Sequence, residues 1–89
     1  MFFEMTADNV EEDADAVIAD ILVEGSVVGE VTLLVDGKRL KTWGGDARAW
    51  ASEDLLTFMD DAEEEDDDFH RADQIHEIVG AAQHAWKKS

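Results

Sequence analysis

The chain has 89 residues, with 23 acidic against 7 basic side chains and a formal net charge of −16. This length supports one small domain, residues 1–89, and a hydrophobic content of 45% argues against a disordered acidic tail. No apolar run approaches about 18 residues, so no membrane-spanning helix is expected. The start lacks the pattern of a signal peptide. The absence of cysteine excludes disulfides and thiolate chemistry.

The strong negative charge also limits the classes of molecule that the protein can bind. A surface this acidic repels phosphates and anionic lipid, so direct binding to nucleic acid or to a membrane is not expected. The natural partner is a basic protein surface, unless the acidity serves solubility alone. We expect a cytoplasmic protein, and no cofactor is indicated. The oligomeric state stays open.

Residues 17 to 43 predict a three-stranded antiparallel β-meander. The odd-numbered residues from 17 to 23 are all apolar, and alternation resumes between residues 27 and 35. Glu24-Gly25-Ser26 can turn the chain between the two strands. Asp36-Gly37 predicts a two-residue hairpin with positive φ at both positions, and residues 38 to 43 then return as the third strand.

A helical alternative exists for the first part of this region. Apolar residues from Val10 to Leu22 also follow helical spacing, with Asp8 and Glu11 placed as a capping box and Gly25 as a stop. A strand is favoured for residues 17 to 24, but the helix stays open. The acidic N-terminal segment, residues 1–15, can be mobile, or residues 8 to 15 can form a short helix before the strand.

Residues 46 to 87 predict two helices joined by an acidic run. The first, near residues 47 to 62, can be capped by Asp46 or Ser52, and the second covers residues 71 to 86. With the meander, they predict a two-layer α+β domain. The residues expected to be buried together are Val31, Leu33, Leu55, Phe58, Ile75, Val79 and Trp86.

The acidic run is the most informative feature of the sequence. Residues 60 to 68 carry eight acids in nine positions. In a helix this gives one charge per about 1.7 Å, the axial charge density of duplex DNA. The run can therefore imitate DNA towards a basic cleft. It can equally be a solvated linker, since like charges four residues apart oppose a helix.

Other chemistries find little support. The acidic run lacks the alternating ligands and the glycine of an EF-hand loop. His76-Glu77 begins a zincin motif, but Gly80 stands where the second histidine belongs. No nucleophile elbow or phosphate-binding glycine loop is present. The chain is therefore expected not to be an enzyme and to hold no specific metal.

The candidate binding residues are two acidic clusters and one aromatic anchor. Trp43 follows the third predicted strand, where an exposed tryptophan can serve as an interface anchor. The full set of candidate partner-binding residues is Glu11, Glu12, Asp13, Asp15, Trp43, Asp60, Asp61, Glu63, Glu64, Glu65, Asp66, Asp67 and Asp68.

Small size, strong acidity, no cysteine, a β-meander followed by helices and the absence of a catalytic motif together resemble small phage-encoded inhibitors, in particular anti-CRISPR proteins that mimic DNA. The resemblance covers the whole chain as a profile and includes no specific motif. It implies a stoichiometric inhibitor that occupies the DNA-binding surface of a partner such as a CRISPR effector complex. The basic residues Lys38, Arg39 and Lys41 depart from a pure mimic.

A salt-adapted interaction domain is the alternative. Aspartate exceeds glutamate, at 13 to 10, and lysine is scarce, at four residues, as in proteins whose acidity keeps the surface hydrated. Such a domain needs about molar salt to fold because its self-repulsion must be screened, whereas a DNA mimic folds in ordinary buffer.

Overall fold

A four-stranded antiparallel sheet and two helices form the domain in a computed structural model that describes residues 4–44, 46–65 and 70–88. The strands β1 (Met5–Asp13), β2 (Ala16–Val23), β3 (Ser26–Asp36) and β4 (Arg39–Lys41) are neighbours in chain order. The helices are α1 (Glu53–Glu65) and α2 (Arg71–Lys88). Helix α1 packs on β3 and α2 on β1, with further contacts to β2 and β4. The α+β class is confirmed, but the expected three strands are four.

The additional strand is Met5–Asp13 in the acidic N-terminal segment, so the expectation of a short helix there is wrong. β1 pairs with β2 from Met5↔Val23 to Asp13↔Ala16. An irregularity between Asp8 and Glu11 centres on Asn9, which has φ 51°. The extra residue changes which side chains face the helices, because strand side chains alternate strictly between faces. Val10 thereby packs against the core.

Strands β2 and β3 provide the sheet side of the core. Val17, Ala19 and Ile21 are buried, as are Val31 and Leu33 on the neighbouring strand. The strand prediction for residues 17 to 24 is therefore confirmed, and the helical alternative is wrong. The turn between these strands has positive φ at both Glu24 and Gly25, as the tightest hairpins require.

The hairpin between β3 and β4 is confirmed with a shifted turn. Asp36 is the last residue of β3 and pairs with Arg39, so the central residues are Gly37 and Lys38. Positive φ occurs at Gly37, whereas it was expected at both Asp36 and Gly37.

The first helix begins later than predicted. Asp46 caps only a short 3-10 turn, Ala47–Ala49, and Ser52 caps α1 by accepting a hydrogen bond from the Leu55 N–H at 3.3 Å. Between them, residues 50 to 52 run along β3: Thr32 N–H donates to the Trp50 carbonyl at 2.8 Å. Trp50 is buried, with 3% exposed, but it ends the 3-10 turn and is not part of α1.

Each helix faces the sheet through a stripe of apolar side chains, as the helical spacing of the apolar residues in the sequence predicts. Leu55, Met59 and Ala62 are buried on α1, and Ile78 and Ala82 are buried on α2. Of the expected core, Val31, Leu33 and Leu55 are buried, whereas Phe58, Ile75, Val79 and Trp86 are only partly buried against it.

A buried glutamine joins the two helices. Gln74 has 1% of its surface exposed, and its Nε2 donates to the Met59 carbonyl at 2.7 Å. Its Oε1 has no hydrogen-bond partner among the described residues. An apolar pattern does not reveal such a residue, because its burial depends on a carbonyl of the other helix.

We expect Gly80→Ala to raise the free energy of unfolding by up to about 1 kcal/mol, because alanine has the higher helix propensity. Gly80 lies inside α2, and an added Cβ would meet nothing within 4 Å. Urea denaturation measures the change, and a loss of stability would contradict the open environment of Gly80.

Candidate functional site

The first half of the acidic run is helical. Successive residues on an α-helix turn by about 100°, so Asp60, Asp61, Glu64 and Glu65 fall within an arc of about 140°. This arc, called here the α1 arc, lies away from the buried Ala62, and all four side chains are exposed. Asp66, Asp67 and Asp68 lie outside the described residues.

Arg71 compensates part of this charge. Its guanidinium forms an ion pair with Asp60, and its Nε lies 3.8 Å from an Oε of Glu63. Within the part of the chain that the structure describes, Asp61, Glu64 and Glu65 have no ion pair. These three carboxylates are therefore the strongest candidates in the run for an external cation.

The N-terminal acids are divided between the two faces of the sheet. Glu11 pairs with Ile18 and Asp13 with Ala16, on the face away from the helices. Glu12 lies opposite the buried Val17, and its carboxylate accepts a hydrogen bond from Trp86 Nε1 at 2.7 Å. Asp15 is in the β1–β2 turn. The two predicted acidic clusters therefore lie on different elements: α1 packs on β3, whereas β1 forms the sheet edge under α2.

Three acids outside the predicted set form a row across the sheet. Asp8 is the register partner of Asp20, and Asp20 is the register partner of Glu30. Asn9 Nδ2 donates to the Asp20 carboxylate at 2.8 Å. The alternation of apolar and polar residues predicts that Asp20 and Glu30 face away from the core. Their alignment with Asp8 follows only from the strand register, and the three acids are called here the carboxylate row.

Trp43 is exposed, with 43% of its surface accessible, as an anchor residue requires. Its Nε1 donates to the Thr32 carbonyl at 2.9 Å, which holds the indole against β3. The position of the side chain is thereby defined before any partner binds. Its role in binding stays a prediction.

A groove of about 730 Å³ lies between β1 and α2. His76 and His84 line it together with Asp8, Glu77 and Lys88. Among the described residues, no group of three or more acids or histidines is arranged to hold a metal ion. The groove therefore presents mixed polar walls and defines no specific chemistry.

One perturbed carboxyl has a structural explanation. The Arg48 side chain and then its backbone N–H donate hydrogen bonds to Asp46, and they hold the pKa of that carboxyl below its usual value. The same pairing raises the pKa of Arg48. Both groups are exposed, and Asp46 caps the 3-10 turn that contains Arg48, so the lowered pKa reflects a local structural contact.

The fold and these surfaces define a small two-layer α+β domain with an acidic exterior. No helix of the described residues is long and apolar enough to cross a membrane. No protein-family model, curated protein or solved structure matches the chain.

Proposed function

We propose that the protein is a stoichiometric inhibitor that binds a basic nucleic-acid-binding surface of a partner protein and blocks DNA access, in the manner of a DNA-mimicking anti-CRISPR protein. The observation that carries the proposal is the α1 arc, on which Asp61, Glu64 and Glu65 are exposed and have no ion pair among the described residues. The partner is a protein with a lysine- and arginine-rich cleft, such as a CRISPR effector complex.

The helical geometry supports the imitation of DNA. Residues 60 to 65 carry five acids on the last turns of α1. At about 1.5 Å per residue they give one charge per about 1.8 Å, near the value of about 1.7 Å for duplex DNA. A linker would not hold these charges at a constant spacing.

The carboxylates outside the α1 arc add a longer-ranged electrostatic attraction for a basic partner. None of the carboxyl side chains of the described residues is buried, so their charge reaches the solvent. Such a field raises the rate at which a basic partner is captured, and salt weakens it because the Debye length is about 8 Å at physiological ionic strength.

The test is the loss of binding when the arc is neutralised. We expect the triple variant Asp61→Asn, Glu64→Gln, Glu65→Gln to bind the partner about 10- to 100-fold more weakly, since each exposed ion pair contributes about 0.5–1 kcal/mol. The partner is captured from cells that carry candidate defence systems, with and without competing duplex DNA. The purified partner is then titrated in a displacement assay with labelled DNA.

A matched control separates the arc from net charge. The variant Glu4→Gln, Glu24→Gln, Glu77→Gln removes the same charge from exposed positions elsewhere. It should retain most of the affinity. Equal losses in the two variants would show that only the net charge matters, and full affinity in a folded arc variant would remove α1 from the mechanism.

The salt-adapted interaction domain is kept as a second candidate because acids occur on nearly every element, including the directly opposed acids of the carboxylate row. Circular dichroism at low and at about molar salt distinguishes the two functions. Folding at low salt favours the inhibitor, whereas a requirement for high salt favours the salt-adapted domain.

A further inference from the structure

The sheet face opposite the helices is exposed in the described part of the chain. Both helices pack on the other face, through the side chains that include Val17, Ile21 and Leu33. The side chains that alternate with these form the open sheet face. It includes Val27, with 61% of its surface exposed, and it lies beside the exposed Trp43.

The apolar part of this face runs along the two central strands. Ile18 and Leu22 are on β2, and Val27 and Leu34 are on β3, where Thr32 lies opposite Ile18. Val27 is exposed, and the other three apolar side chains are half-buried. Two strands span about 10 Å, and an α-helix with its side chains is about 10–12 Å wide. β1 borders this strip with Thr6, Asp8, Glu11 and Asp13, and β4 borders it with Lys41. The strip therefore has the width of one helix.

The carboxylate row crosses the middle of this strip. Asp20 lies between Ile18 and Leu22 along β2, and Glu30 is directly opposite it on β3. Like charges directly opposite each other destabilise a sheet. A lysine or arginine placed over the row would relieve this repulsion, while apolar side chains on both sides of the cation would cover the strip.

We propose that the open sheet face binds an amphipathic helix of a partner protein that carries a lysine or arginine between two apolar residues. Ile18 and Leu22 are about 13 Å apart along the strand. Apolar residues seven or eight positions apart on one side of a helix are separated by about 10.5–12 Å, which is close to this distance. A second copy of the chain is a poor occupant, because a two-fold interface would oppose one carboxylate row to another.

This surface is distinct from the α1 arc, and its test does not depend on the proposed inhibition. The probe is a synthetic helical peptide of about 16 residues with leucine and arginine at the stated spacing, titrated into the ¹⁵N-labelled protein. We expect saturable shifts in the NMR signals of Ile18, Asp20, Leu22, Val27 and Glu30. A peptide with glutamate in place of arginine, and a scrambled peptide of the same composition, should bind at least tenfold more weakly.

Matched variants of the protein locate the contact. Asp20→Asn with Glu30→Gln, and separately Ile18→Thr with Val27→Thr, should each weaken peptide binding about tenfold, with circular dichroism confirming the fold. Asp61→Asn with Glu64→Gln changes the net charge equally and should leave the affinity unchanged.

Several results would overturn the proposal. The proposal fails if the designed peptide does not bind, or if the scrambled or glutamate peptide binds as tightly as the designed one. NMR shifts confined to α1 would also contradict the proposed surface. Concentration-dependent shifts on the open sheet face without peptide would assign the surface to a second copy of the chain.

Discussion

Met59→Ala is expected to lower the free energy of unfolding by about 2–5 kcal/mol, and Phe58→Ala by less. Met59 is fully buried, with 0% exposed, between the helix and the sheet, so its truncation leaves a cavity. Phe58 is only partly buried against the same core, although phenylalanine is the larger residue. Part of the Phe58 side chain that the substitution removes is already in contact with water, so less burial is lost.

The pair of variants tests the rotation of α1 about its axis. The two positions are adjacent, so their distances from the helix ends are nearly equal. Urea denaturation measures both midpoints, and equal slopes of the transitions ensure that the two-state comparison is valid. If Phe58→Ala were the more damaging change, α1 would face the sheet through Phe58 and not through Met59.

Gly29→Ala is expected to be the most damaging single-methyl addition in the chain, with a loss of about 1–3 kcal/mol or more. A Cβ at Gly29 would lie 2.6 Å from Leu55 Cα, 2.5 Å from Leu55 N and closer still to Leu55 Cβ. The backbone at the start of α1 would have to move. The glycine is therefore required for close approach of the helix and not for a positive φ.

The same movement would break the connection between β3 and α1. Ser52 N–H donates to the Glu30 carbonyl at 2.8 Å, and Glu30 N–H donates to Ser52 Oγ at 2.9 Å. Gly80→Ala is the control, because it adds the same methyl group in open space and has the opposite expected sign. A stability of Gly29→Ala equal to that of the parent protein would show that α1 does not begin against β3.

The proposed functions use opposite layers of the domain. The α1 arc lies in the helix layer, whereas the open sheet face is on the other side of the sheet. A partner can therefore bind one surface without covering the other. The arc variant and the Asp20/Glu30 variant separate the two interactions, since each removes charge from one layer alone.

The sequence by itself determined the helices and most of the sheet. Alternation identified β2 and β3, because the faces of a strand differ every second residue, and the apolar side chains of β2 that it indicated are buried. Ser52 was one of two predicted caps, and it does cap α1. The second helix begins at Arg71 as expected and ends at Lys88.

Tertiary structure decided the features that depend on neighbouring strands. The acidic segment Met5–Asp13 has no convincing strand pattern alone, since its irregularity at Asn9 interrupts the alternation. It becomes a strand because β2 offers hydrogen-bonding partners along its edge. Residues 50 to 52 lie against β3 for the same reason, and Ala51 forms a bridge with Val31.

The candidate sites also differ in whether the sequence alone or only the tertiary structure reveals them. Charge density along α1 is a local property, so the sequence showed the acidic run directly. The carboxylate row joins three residues that are 12 and 10 positions apart in the chain, and only the pairing of three strands aligns them. Local residue patterns carry information about one element at a time, whereas a surface that crosses a sheet depends on the register between elements.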